Sequence, residues 1–477
     1  MFVSRSSFMA FACSALCVAG SALAADEKKE PAPAPTISYF RDIRPIFQVH
    51  CQGCHQPAKA MGEYVMTDLV SLAKGGESEQ KAVVPGKPDE SHLVTQITLK
   101  DGKAEMPREK EPLTAEQTQR IRQWITEGAQ DDTPLSVRDV INNEHPPVYE
   151  APPVLTALDF SPDDTLLAVS GYHETLLYKA DGSELVSRLI GQSERVESIA
   201  FSPDGKSLAV AGGSPGRLGE VQVWDVATRK LNYSLSVTYD TVYGVSWSGD
   251  GTKIAFGCAD NTLRAIDAAN GKQVLYQGAH SDWVLDTVFS KDGTYLISVS
   301  RDRSMKLVEV ATQRFVDNIT SITPGALKGG LAAVDRHPTK DELLIGGADG
   351  VPKIYQMLRT KARVIGDDFN LIKAYEVMPG RIYDAHFNAD GSRFVVSSSL
   401  DGTGEVRVYE TDSGKLLHKL EGQRGAVYAV TFSTSGKVIA SAGFDGLVRL
   451  NDADTGKLIK EFSPVPADAS KVAATGK

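Results

Sequence analysis

Along the first quarter of the chain apolar residues return every three or four positions; along the rest they alternate with polar ones between Asp-Gly and Ser-Gly turns. Tyr39, Phe40, Ile43, Ile46 and Phe47 keep helical spacing, and Pro45 within that run must open a helix or kink one. A clearer helix follows Thr114, which can cap it together with Gln117. Ile121, Trp124 and Ile125 then form one apolar face, and Gly128 ends the helix. Between residues 131 and 153, Pro134, Pro146, Pro147, Pro152 and Pro153 break the periodicity, which places an interdomain linker there. The pattern predicts a small all-α domain over 37–130 and an all-β domain over 154–464.

The β half is repetitive. A block of the form small–Val–x–Phe–Ser–x–Asp–Gly recurs with its aromatic position at Phe160, Phe201, Trp247, Phe289, Phe387 and Phe432, and with Arg336 in a degenerate copy. Successive copies lie 41 to 51 residues apart. Each is followed by an apolar strand, a turn bearing Asp260, Asp302, Asp349, Asp401 or Asp445, and a strand ending in Trp224, Tyr355 or Tyr409. One four-stranded blade per copy gives seven blades, with residues 212–219 and 360–371 as loops. A carboxylate in such a turn satisfies backbone N–H groups and, in one blade, the ring of His280, so these aspartates read as structural rather than catalytic. Only Trp224 and Asp225 spell a Trp-Asp pair. On these copies, residues 154–464 resemble the WD40 family. The resemblance implies a disc with a central channel, used as a platform for other proteins, and no active site. The last copy carries its own outer strand over 457–462, which leaves open how the ring closes.

Composition adds boundaries. The 477 residues exceed what one hydrophobic core supports, and 42% apolar with 23% charged residues is an ordinary globular balance. The net charge of −10 without a basic stripe argues against nucleic acid as a partner. No internal stretch is long and apolar enough to be a transmembrane segment of the mature chain. Arg5, the apolar run over 8–20 and the small residues 21–24 read as a cleaved signal peptide over 1–24. The run is short for a membrane anchor, and Leu16 before Cys17 does not suit a lipoprotein signal. Residues 25–36, with KKEPAPAP, read as an extended tether, and 465–477 as a disordered tail.

With Cys13 and Cys17 in the signal, the mature chain keeps Cys51, Cys54 and Cys258, too few for a disulfide framework. Cys51-Gln52-Gly53-Cys54-His55 is the haem-attachment pattern. Two thiols one helical turn apart can add to the two vinyl groups of one porphyrin, and the next residue then lies under the iron. Cys51 and Cys54 are therefore expected as thioether links to one covalent haem c per chain, and His55 as the proximal iron ligand. A zinc site would need further ligands, and a thioredoxin-like pair would need a βαβ setting. The other face of the iron takes a sixth ligand or stays open, and Met61, Met66, His92 and Met106 are the candidates for it. Met61 and Met66 follow His55 too closely to wrap a porphyrin easily and read as core or rim packing. His92 would make a bis-histidine haem of lower potential, its bland reading, like that of His50, being a surface role. Met106, 51 residues beyond His55 and followed by Pro107, suits a strap across the far face.

Through Asp42-Ile43-Arg44-Pro45-Ile46, Val84-Pro85-Gly86-Lys87-Pro88, Met106-Pro107, Leu113-Thr114 and Trp124-Ile125, residues 37–130 resemble the planctomycete-type cytochrome c domain, a variant of class I cytochromes c. The resemblance implies that the methionine of the Met-Pro pair, here Met106, is the distal haem iron ligand. The chain departs from the family over 105–108, where members often carry Met-Pro-Pro. The expected function is one-electron transfer by an exported protein, with the propeller docking a redox partner protein or complex, and catalysis is not expected. One alternative is a haem enzyme, either peroxidase-like or of the cytochrome cd1 nitrite reductase architecture. Those reductases, however, use an eight-bladed propeller with histidine ligands to a second haem, whereas His173, His280, His337, His386 and His418 are scattered here. Another alternative is a haem-based redox or gas sensor. Haem c attachment and the signal peptide agree on the periplasm.

Overall fold

In a computed structural model of the chain, the described residues are 37–465 apart from 53, 57, 58, 68, 109, 134–140, 142–145, 150, 322–327 and 365. The expected signal peptide, the tether, much of the linker and all of the tail beyond Val465 lie outside the described residues.

The first domain builds on local capping. The Ser38 hydroxyl accepts from the Arg41 amide at 3.0 Å and opens a π-helical turn, Tyr39–Ile43, that runs straight into α1, Arg44–His50. Pro45 sits in the first turn of α1, where a missing N–H costs nothing, so it opens the helix rather than kinking it. Three more helices follow: α2, Leu69–Lys74; α3, His92–Ile97; and α4, Ala115–Thr126. The capping box at α4 forms as expected: Gln117 N–H donates to Thr114 Oγ1 at 3.1 Å, and Thr114 N–H to Gln117 Oε1 at 2.9 Å. Gly128, at φ +101°, turns the chain out of α4. Ile121, Trp124 and Ile125 are buried against Ile43, Phe47, Met66, Leu72 and Ile97, with the Trp124 ring centred 5.3 Å from that of Tyr39. The domain departs from all-α where His55–Gln56 pairs with Lys59–Ala60 in a small hairpin and where Lys100 bridges Lys103.

The second domain is a ring of seven antiparallel blades. Five are separate four-stranded sheets and two are fused into one seven-stranded sheet. The fusion is made by a single long strand, Leu185–Phe201, whose first half is the outer strand of blade 1 and whose second half is the inner strand of blade 2. Blades 3 to 7 start from the inner strands Val242–Trp247, Val284–Phe289, Leu331–Arg336, Arg381–Phe387 and Val427–Phe432. The stretch 212–219, expected as a loop, is instead a hairpin: Ser207–Ser214 and Leu218–Asp225 pair as far as Ser214 and Leu218. Gly212 and Gly213, with no Cβ, let the two backbones pair through that stretch, where a Cβ would meet Arg195 O or Leu218 O.

Apart from the helical core, the buried apolar residues fall into seven clusters, each lying between two neighbouring blades. No blade has a core of its own, so the ring is stabilised by neighbours. The closing seam is one of these clusters: Leu155, Phe160, Leu167 and Tyr178 of blade 1 pack on Ala440, Ala442, Val448 and Leu450 of blade 7. Asp164 accepts there from the Thr434 and Ser435 amides at 2.7 and 2.8 Å, and Tyr178 Oη–H donates to Pro464 O at 2.8 Å. Leu458–Phe462 is the outer strand of blade 7, so the ring closes by packing between complete blades and not by exchanging a strand.

Candidate functional site

Cys51 caps the C-terminal end of α1, and its carbonyl accepts from both Cys54 N–H at 3.0 Å and His55 N–H at 3.1 Å. That turn gathers the two thiols and the imidazole at one corner of the helical domain. Cys51, Cys54 and Cys258 are the free cysteines among the described residues. Burial, and then the neighbouring Cys54, pushes the Cys51 thiol up to about 12. Such surroundings penalise a thiolate but not a neutral thioether, which fits covalent attachment of a porphyrin. His55 Nδ1 is buried without a hydrogen-bond partner among the described residues. An imidazole with an orphaned ring nitrogen beside two free thiols is a donor set suited to haem c and unsuited to a packed core.

Met106 is half-buried and packs, like Cys51 and Tyr64, against the core around Trp124; its amide donates to Gln96 O at 2.9 Å. The other candidates are placed differently. Met66 is 1% exposed inside the core, Met61 is exposed on the rim, and His92 opens α3 with its amide bound to Lys81 O. His50, half-buried at the end of α1, has its ring Nε2 3.3 Å from Gln117 Nε2. Among the described residues no three His, Cys, Asp or Glu side chains gather into a metal-binding group.

The propeller turns behave as structural elements. Asp302 accepts from Ser281 N–H at 3.0 Å, Ser304 N–H at 2.9 Å and the His280 ring at 2.9 Å, and the far side of that ring meets Ser298 Oγ at 2.8 Å. Asp260, Asp349 and Asp445 likewise accept from amides two residues on and pair with Arg264, Lys353 and Arg449. Asp401 is exposed at φ +50° in a tight turn.

A second charged site was not read from the sequence. Asp159, Asp286, Asp335, Asp384 and His386, carried on the inner strands of blades 1, 4, 5 and 6, lie close enough to act on one another's charge. Each carboxylate accepts an amide of the following blade: Phe201 on Asp159 at 2.7 Å, Val334 on Asp286 at 2.9 Å, Phe387 on Asp335 at 2.8 Å and Val430 on Asp384 at 2.9 Å. Burial lifts Asp159 and Asp286 to about 7 despite those bonds. His386 Nε2 lies 3.1 Å from Asp384 and Nδ1 3.8 Å from Asp335. Enclosure alone would lower its pKa, but Asp384, Asp335 and Asp286 outweigh that and raise it to about 10. The side chain is 38% exposed to the channel, so water screens it in part. The signal was present in the repeat: Asp286 and Asp384 stand where other copies have Ala, Ser or Gly.

Comparison with known proteins agrees with this architecture. Residues 51–110 match the family model for Planctomycete cytochrome C, and residues 183–225, 229–267, 271–309 and 414–452 match that for the WD domain, G-beta repeat. The second half of the chain is a WD40-repeat propeller. Each matched WD40 stretch starts one or two residues before the outer strand of one blade and ends with the third strand of the next. A WD repeat-containing protein 26 homolog of Arabidopsis thaliana is 25% identical over 61% of this chain, and a WD repeat-containing protein 91 homolog of Dictyostelium discoideum 35% identical over 23%. The eukaryotic translation initiation factor 3 subunit I of Candida glabrata is 23% identical over 54%. The chain spans 47%, 14% and 65% of the lengths of these relatives, and none of their names mentions haem.

Proposed function

We propose that this protein is an exported, periplasmic haem c protein that passes single electrons, its WD40 propeller serving as the docking platform for a redox partner protein. The observation that carries the reading is the turn from Cys51 to His55, with two free half-buried thiols and a half-buried imidazole whose Nδ1 is buried, beside a core that Cys51 and Met106 pack against. Cys51 and Cys54 would hold the haem as thioethers, His55 as proximal ligand and Met106 as distal ligand. Bound there, the haem would supply a reversible one-electron couple. The residues around it exclude water on the core side, where Ile43, Phe47 and Trp124 are fully or almost fully buried. The WD40 repeats favour a protein partner, since the propeller's charged channel groups are engaged in holding its own blades together.

A haemochrome assay on the purified chain, with a near-infrared spectrum and mass analysis, tests this. One covalent haem per chain with a methionine-to-iron charge-transfer band is expected. Two haems, none, or a band that survives Met106→Ala would overturn it.

A further inference from the structure

We infer that Tyr64 is the positioning residue that fixes the orientation of the His55 imidazole. This inference rests on the haem reading above. The backbone of His55 is held on both sides, its N–H donating to Cys51 O at 3.1 Å and its carbonyl accepting from Met66 N–H at 2.9 Å. The ring is not. A metal-binding histidine ordinarily donates its second ring N–H to a carboxylate, carbonyl or water, which sets the ring plane and makes the imidazole a stronger donor. Here Nδ1 is buried with no such partner among the described residues. What faces the ring instead is Tyr64, with ring centroids 5.4 Å apart and planes tilted by 59°.

Tyr64 is itself firmly placed. Its hydroxyl donates to Leu72 O at the end of α2 at 2.9 Å, and its ring packs on the Trp124 core. Gly76 closes over it: a Cβ there would fall 2.9 Å from Tyr64 Cβ and 2.2 Å from Gly62 O. The chain of support runs from α2 and Gly76 through Tyr64 to His55. Among the described residues the ring is thus set by packing against Tyr64, and a change in that packing would be read in the ligand field and potential of a bound iron.

Full-length Tyr64→Phe and Tyr64→Leu proteins, checked for equal haem content by haemochrome, test the inference through the g-values of the ferric state in electron paramagnetic resonance and through the reduction potential. Tyr64→Phe keeps the aromatic face and should retain both signatures of the parent. Tyr64→Leu should shift or broaden the g-values and move the potential. If Tyr64→Leu does not accumulate, Tyr64→Met is held to the same criterion. Unchanged g-values and potential at full haem content would overturn the role of Tyr64 while leaving the haem reading intact; absence of haem from the parent protein would overturn both.

Discussion

Replacing His386 by Gln removes the positive charge from the propeller axis while keeping a similar shape. In the native ring the imidazole is the positive group shared by Asp159, Asp286, Asp335 and Asp384, with Arg336 also acting on Asp335, and its pKa rises from 6.5 to about 10. A rise of that size on a sealed group would be worth roughly 5 kcal/mol. Because the side chain is 38% exposed to the channel, screening reduces the expected contribution to about 2 kcal/mol. The sign follows from the raised pKa: the stabilisation is fully present below pH 6.5 and is lost as pH climbs towards 10. Asp159 and Asp286, lifted from 3.8 to about 7, act in the same sense at lower pH, since ionising them inside the ring costs stability between those values. Urea unfolding of the full chain, followed by circular dichroism of the β-structure, should show His386→Gln weaker than the parent by about 2 kcal/mol near pH 7. The gap should close as pH approaches 10. A gap that stays constant from pH 7 to about 10.5 would refute an electrostatic origin and assign the loss to packing.

Met106→Ala should abolish the near-infrared methionine band and lower the reduction potential, whereas His92→Ala should leave both unchanged; retention of the band in Met106→Ala would remove Met106 from the iron. Asp302→Ala strands the fully buried His280 ring and the Ser281 amide, and should cost roughly 2–4 kcal/mol in denaturant unfolding, against about 0.5 kcal/mol or less for exposed Asp401→Ala. Accepted hydrogen bonds and the His280 ring hold the Asp302 carboxyl well below its usual value of 3.8 despite burial, so its contribution should persist above that pH and fade only in stronger acid. Cys258 is buried, with its thiol pushed up to about 12. A maleimide should therefore leave the native protein unlabelled and add one label per mature chain on unfolding; three labels would mean that Cys51 and Cys54 are not in thioethers.

The legible parts of the fold were those where a local pattern has one physical solution. Thr114 with Gln117 forms the capping box because both partners lie within one turn, and Ile121, Trp124 and Ile125 share a face because 3.6-residue periodicity puts them there. The seven blades were legible from the recurring block, including the degenerate copy at Arg336, whose guanidinium bonds to Phe289 O where the other copies place an aromatic ring. Ring closure was not legible, because packing between blades 1 and 7 joins residues about 290 positions apart and leaves no mark on local periodicity. The hairpin over 207–225 was missed for a related reason: its glycines read as a loop, although Gly212 and Gly213 sit inside paired strand with backbone atoms about 2.1 Å from where a Cβ would be.

The channel bears on function from a different side than the motif at Cys51. An active site in the propeller would need polar groups left available to a substrate, and the axis looks at first like such a place, with four carboxylates and an imidazole together. Each of those carboxylates, however, already accepts an amide of the next blade, linking blades 1 to 2, 4 to 5, 5 to 6 and 6 to 7, and Ser198 does the same between blades 2 and 3. Removing any one would leave a buried N–H without an acceptor, a loss of about 1–3 kcal/mol at a blade junction. The groups that resemble a catalytic cluster thus also fasten neighbouring blades to one another, and a disc braced in this way suits the docking role proposed for it.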